Sequence, residues 1–87
     1  MAEILNKTIT RNGKRTVDML FQQFGVIDYK NGILPETGRP AARITFDREL
    51  SLENVKYIRG LKGVYHVGTC IYRYAPEIKK SYCVVTL

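Results

Sequence analysis

Residues 63–87 constrain this chain most. "GVYHVGTCIYRY" and "SYCVVTL" are rich in β-branched and aromatic residues, and only "APEIKK" separates them. Two such runs so close in sequence pair as an antiparallel hairpin. A two-stranded ribbon is marginal in water, so further strands or helices must cover it. With "APEIKK" as the loop, Tyr74 falls opposite Ser81, Arg73 opposite Tyr82, Tyr72 opposite Cys83 and Ile71 opposite Val84. One face then carries Cys70, Tyr72, Tyr74, Cys83, Val85 and Leu87. The other carries Tyr65, Val67, Thr69, Ile71, Arg73, Tyr82, Val84 and Thr86. This assignment depends on register, because a one-residue slip exchanges the faces.

The cover comes from the preceding residues. "SLENVKYIRGLKG" predicts a helix: Ser51 is an N-cap, Glu53 lies in the positive first turn, and Gly60 or Gly63 stops it. "TVDMLFQQFG" favours a second helix, capped by Thr16, with Val17, Leu20, Phe21 and Phe24 on one stripe. "ILNKTITR" reads as an opening strand, which Asn12-Gly13 in "RNGKR" turns, since Asn-Gly is a strong hairpin signal. "VIDY" is a short strand ending at a second Asn-Gly, "GILPETGRP" a long loop, and "ARITFDR" another strand.

The predicted class is α+β: a small antiparallel sheet with two helices on one face. The order is ferredoxin-like βαββαβ plus a C-terminal strand. If the first helix is dropped, five strands remain with one helix between strands three and four, and the alternative is a five-stranded OB-like barrel.

At 87 residues, a single domain over 1–87 is expected. Two cysteines make no disulfide framework, the polar start "MAEILNKTIT" is no signal peptide, and no apolar run is long enough to span a membrane. These features predict an intracellular, cytoplasmic protein without a membrane partner.

Catalytic signatures are lacking. His66 has no carboxylate nearby in sequence, and at four residues' separation on one strand it stands roughly 13 Å from Cys70. Cys70, Cys83 and His66 lack a fourth ligand for a metal. No phosphate-binding glycine loop, paired acids or serine elbow occurs. The expectation is a non-enzymatic protein with no catalytic residue, metal or cofactor.

The remaining signal is positive charge interleaved with tyrosine. Fourteen Lys and Arg against eight Asp and Glu give a net charge of +6 and suit an anionic partner. On the predicted face, Tyr65, Arg73 and Tyr82 come together, and Arg43 and Thr45 join from "ARITFDR". Aromatic rings on a sheet stack unpaired bases, and arginine stacks or takes a phosphate. Arg11, Lys14 and Arg15 at the first turn and Lys79 and Lys80 in the last loop flank this face, with Arg39 nearby in the long loop. The predicted function is binding of single-stranded DNA or RNA. The alternative is a protein-binding module, such as an inhibitor, adaptor or subunit. It would meet an acidic protein or a second copy of the chain through the same face and the 32–40 loop.

Overall fold

The computed structural model describes residues 11–87. In chain order the elements are α1 (Arg11–Gln23), β1 (Val26–Ile33), β2 (Pro40–Phe46), α2 (Leu52–Arg59), β3 (Val64–Tyr72) and β4 (Ala75–Thr86). The strands form one antiparallel sheet in the order β1-β2-β4-β3. The α+β class, the antiparallel sheet and the two helices agree with expectation; the described residues form four strands. The barrel does not, because among the described residues β1 and β3 are separate edges.

The ferredoxin-like order with an appended strand is also not what forms. The last strand lies in the middle, between β2 and β3. Both of these run antiparallel to β4, so β2–α2–β3 is a split βαβ unit with β4 inserted. A C-terminal strand with Cys83 and Val85 fully buried belongs at the centre of a sheet rather than at its edge. The predicted opening strand over "ILNKTITR" lies outside the described residues, except that Arg11 already belongs to α1.

Helix α1 begins earlier than predicted and takes Asn12-Gly13 into its first turn, so this pair makes no hairpin. The reason is packing. A Cβ on Gly63 would stand 3.0 Å from the Cα of Gly13, so the helix start crosses the chain just before β3 at close range. Thr16, expected as the N-cap, lies inside the helix, and its Oγ1 donates to the Lys62 carbonyl at 2.6 Å. The helix buries Val17 and Leu20, as their spacing predicts.

The second Asn-Gly is no turn either: β1 runs through Asn31 and Gly32 to Ile33. The reversal comes at 34–39, where Gly38 takes a φ of +69° and donates to the Leu34 carbonyl at 2.7 Å. Helix α2 forms as expected. The Ser51 Oγ accepts from the Asn54 amide at 3.2 Å, Glu53 sits in the first turn, and Lys56 and Arg59 in the last.

The core lies between the helices and one sheet face. Leu20, Ile44, Phe46, Ile58, Cys83 and Val85 are fully buried there. Complete burial of a Leu, Ile or Phe side chain contributes about 1.5–3 kcal/mol. Phe24 caps the cluster edge-on to Phe46, their rings 5.5 Å apart.

The C-terminal hairpin has a different register from the predicted one. Ser81 pairs with Thr69, Tyr82 with Gly68, Cys83 with Val67 and Val84 with His66. Relative to Tyr74 opposite Ser81 this is an odd shift, so the proposed faces are exchanged on β3. The residues "APEIKK" are the first half of β4, and the turn is at Arg73–Tyr74. Among the described residues no other strand accompanies β3 and β4 beyond the Thr45–Tyr82 pair, and they leave the sheet as a two-stranded arm.

Candidate nucleic-acid interface

Alternation along the strands decides what the second sheet face carries. Ile44, Phe46, Cys83 and Val85 point to the helices, so Arg43, Thr45, Tyr82 and Val84 point away from them. Register extends this face to Asp28 and Lys30 on β1 and to His66, Gly68 and Cys70 on β3. Neither helix covers it.

At its centre, the Tyr82 ring lies across β3. A Cβ on Gly68 would fall 2.8 Å from ring atoms of Tyr82, so only glycine leaves room for the ring in this position. The Arg43 guanidinium carbon sits 4.5 Å from the ring centroid, and Nη2 donates to the Cys70 Sγ at 3.1 Å. Arg43 thus reaches from β2 across β4 to β3, with the tyrosine ring along its path. The His66 ring stands 5.7 Å from that of Tyr82, tilted by 56°. A cation held over an aromatic ring at an exposed site gains about 0.5–1 kcal/mol.

Cations surround this stack. Lys30 is directly opposite Arg43, and like charges so placed repel. Lys80, one residue pair beyond Tyr82 on its own side of β4, donates from Nζ to the Asp47 carbonyl at 3.0 Å. The Asp47 carboxylate bonds Arg48 at 2.9 Å, and that hydrogen bond holds its pKa below the usual value. Lys80 also lines a cleft of about 370 Å³ on the arm, with Tyr72, Arg73, Tyr74, Ala75 and Ile78. Among the described residues no three His, Cys, Asp or Glu gather as metal ligands.

Of the predicted site residues, the structure brings Arg43 and Tyr82 into contact. Tyr65 and Arg73 do not join them. Tyr65 is exposed at a register shift on the outer edge strand β3, and Arg73 is at the tip of the arm. Lys79 pairs with Ile71 on the arm, and Lys80 with Cys70. Lys14 and Arg15 are exposed on α1, in the helical layer, so they do not flank the open face; Arg11 begins the same helix. Arg39 is exposed in the 34–39 turn, at the end of the sheet away from the arm.

Four contributors escaped the sequence reading as site residues: Lys30, His66, Gly68 and Cys70. The last three alternate on one strand, and that period-two pattern was the available signal. Compared with protein-family models, curated proteins and solved structures, the chain has no match.

Proposed function

We propose that this protein binds single-stranded nucleic acid across the open sheet face, without catalysis. The observation that carries this reading is the Arg43 guanidinium held over the Tyr82 ring in the middle of a face that neither α1 nor α2 covers. A base stacks on the planar guanidinium or, with Arg43 swung toward a phosphate, on the tyrosine ring beneath it. Lys30 and Lys80 lie on either side for the backbone, and the arm cleft with Tyr72 and Tyr74 extends the track. The described helices sit on the opposite layer, and the basic end of α2 complements its own dipole, so neither is a candidate for groove reading of a duplex. Two free cysteines suit a cytoplasmic location.

Fluorescence anisotropy with labelled DNA and RNA strands of about 15 nucleotides tests this, that length exceeding most single-domain sites. Affinity is expected to fall steeply with salt. Arg43→Ala and Tyr82→Ala are expected to weaken binding about tenfold or more, as loss of a stacked base does. Lys56→Ala, on the helical layer, serves as the control and stays close to wild type. Equal affinities for all three variants, or no binding at low salt, would overturn the reading.

One observation favours a protein partner instead: Tyr74 is 93% exposed and Ile71 63% at the arm. On that reading Tyr74→Ala abolishes capture of an acidic protein, and no oligonucleotide binds.

A further inference from the structure

We infer that two copies of this chain associate through the outer edges of their β1 strands, joining two four-stranded sheets into one. Among the described residues, in the order β1-β2-β4-β3, β1 has a neighbour on one side only. Seven of its eight residues are exposed. They include Ile27 (52%), Tyr29 (39%) and Ile33 (69%), and beside Tyr29 stands the half-exposed ring of Phe21, 5.5 Å away. A strand edge with this much apolar surface is a template for pairing unless something blunts it.

The charges on β1 select one partner and one register. A two-fold axis perpendicular to the sheet keeps both open faces on the same side, so residues of the same orientation meet across it. An axis through Asp28 sets two carboxylates against each other, and one through Lys30 sets two ammonium groups together. An axis through Tyr29 places Asp28 opposite the second copy's Lys30, and does so twice. Opposite charges directly across an antiparallel pair attract and like charges repel. On the helix side this register brings the two Tyr29 rings together, each with its Phe21 alongside. The bulge between Val26 and Asp28 confines the regular edge to the residues from Asp28 onward, and the axis at Tyr29 falls within it. The other edge, β3, reads "VYHVGTCIY" and has no charge pair to select a register.

The interface is small, so the dimer is weak and concentration-dependent. Sedimentation velocity of the full chain between about 1 μM and about 1 mM, the range of weak complexes, measures it. Asp28→Lys and Lys30→Asp are each expected to weaken the dimer about tenfold, since two attractive pairs become repulsive. The double variant D28K/K30D regains wild-type affinity. An equimolar mixture of the two single variants forms a heterodimer, because each supplies the charges the other needs. Both positions are exposed, and circular dichroism checks that the variants fold. A monomer throughout the range, as when another part of the chain occupies this edge, overturns the inference. So does a dimer indifferent to both substitutions. No oligonucleotide is involved, so the outcome is separate from that of the nucleic-acid reading.

Discussion

Arg43 holds its guanidinium 4.5 Å from the centroid of the Tyr82 ring, on a face of the sheet that neither helix covers. The charge and the plane of this side chain are separable. Arg43→Lys keeps the charge and loses the plane. It is expected to weaken oligonucleotide binding about three- to tenfold, the order of one exposed cation–π or stacking contact. The slope of log affinity against log salt stays unchanged, because the number of cations released against phosphate is the same. Anisotropy titrations at three or more salt concentrations separate the two effects. A lysine variant with full affinity would show that Arg43 acts as a point charge alone.

Gly68 is the floor under that ring. A methyl group there meets Tyr82 ring atoms at 2.8 Å, but the obstacle is a side chain that can swing. Gly68→Ala is therefore expected to leave the fold intact and displace the ring from its place beside His66. In NMR spectra the His66 and Arg43 side-chain resonances shift as the ring current moves, while core methyl signals of Val67 and Val85 hold still. Loss of the folded spectrum would mean that the glycine serves the backbone instead.

The difference between what was legible in the chain and what was not follows from packing. Helix α2 was legible because Ser51 caps it locally and Ile58 faces the core. The Val17–Leu20 spacing in α1 was equally plain, since each element there buries one stripe. The two Asn-Gly pairs misled because the dipeptide permits a turn without requiring one. Gly13 serves the close crossing at Gly63, and Gly32 sits in an edge strand with nothing within 4 Å of its Cβ position. The hairpin register was lost for a related reason. Residues 75–80 extend beyond the core, so no buried face imposes alternation on them, and "APEIKK" looks like a loop while forming strand. Arg43 and Tyr82 came through because their alternation with Ile44 and Cys83 is set by the core itself. Their neighbours His66 and Cys70 depended on the hairpin register and did not.

Gly63 combines two constraints. Its φ is +88°, and a Cβ would meet the Gly13 Cα at 3.0 Å and the Thr86 carbonyl oxygen at 3.3 Å. All of these obstacles are backbone, so none can swing aside. Gly63→Ala is expected to cost about 1–3 kcal/mol for the left-handed conformation, with the crossing adding to it. Urea denaturation measures the loss as a lower midpoint with an unchanged m-value. A variant within error of wild type would show that α1 can lift from β3 without penalty.

Cys83 couples the core to alkaline pH. Burial pushes its thiol from an ordinary 9.0 up to about 12. Below about pH 9 the thiol is neutral in the folded and the unfolded chain, and its contribution is complete. As pH rises from about 9 toward 12, the unfolded chain loses this proton while the folded chain keeps it, so stability falls across that window. Cys83→Ala removes this slope, at the cost of a small cavity that lowers stability by a similar amount at every pH. The measurement is the difference between wild-type and variant unfolding free energies from about pH 8 to about pH 11. Inside the window that difference falls by up to about 1.4 kcal/mol for each step of one in pH, the worth of a single proton. Tyrosine and lysine titrations are common to both proteins and cancel in the difference. The same burial predicts selectivity toward iodoacetamide: the half-buried Cys70 is modified in the native protein, and the fully buried Cys83 only on unfolding. Equal labelling of the two without denaturant would show that the centre of the sheet opens under native conditions.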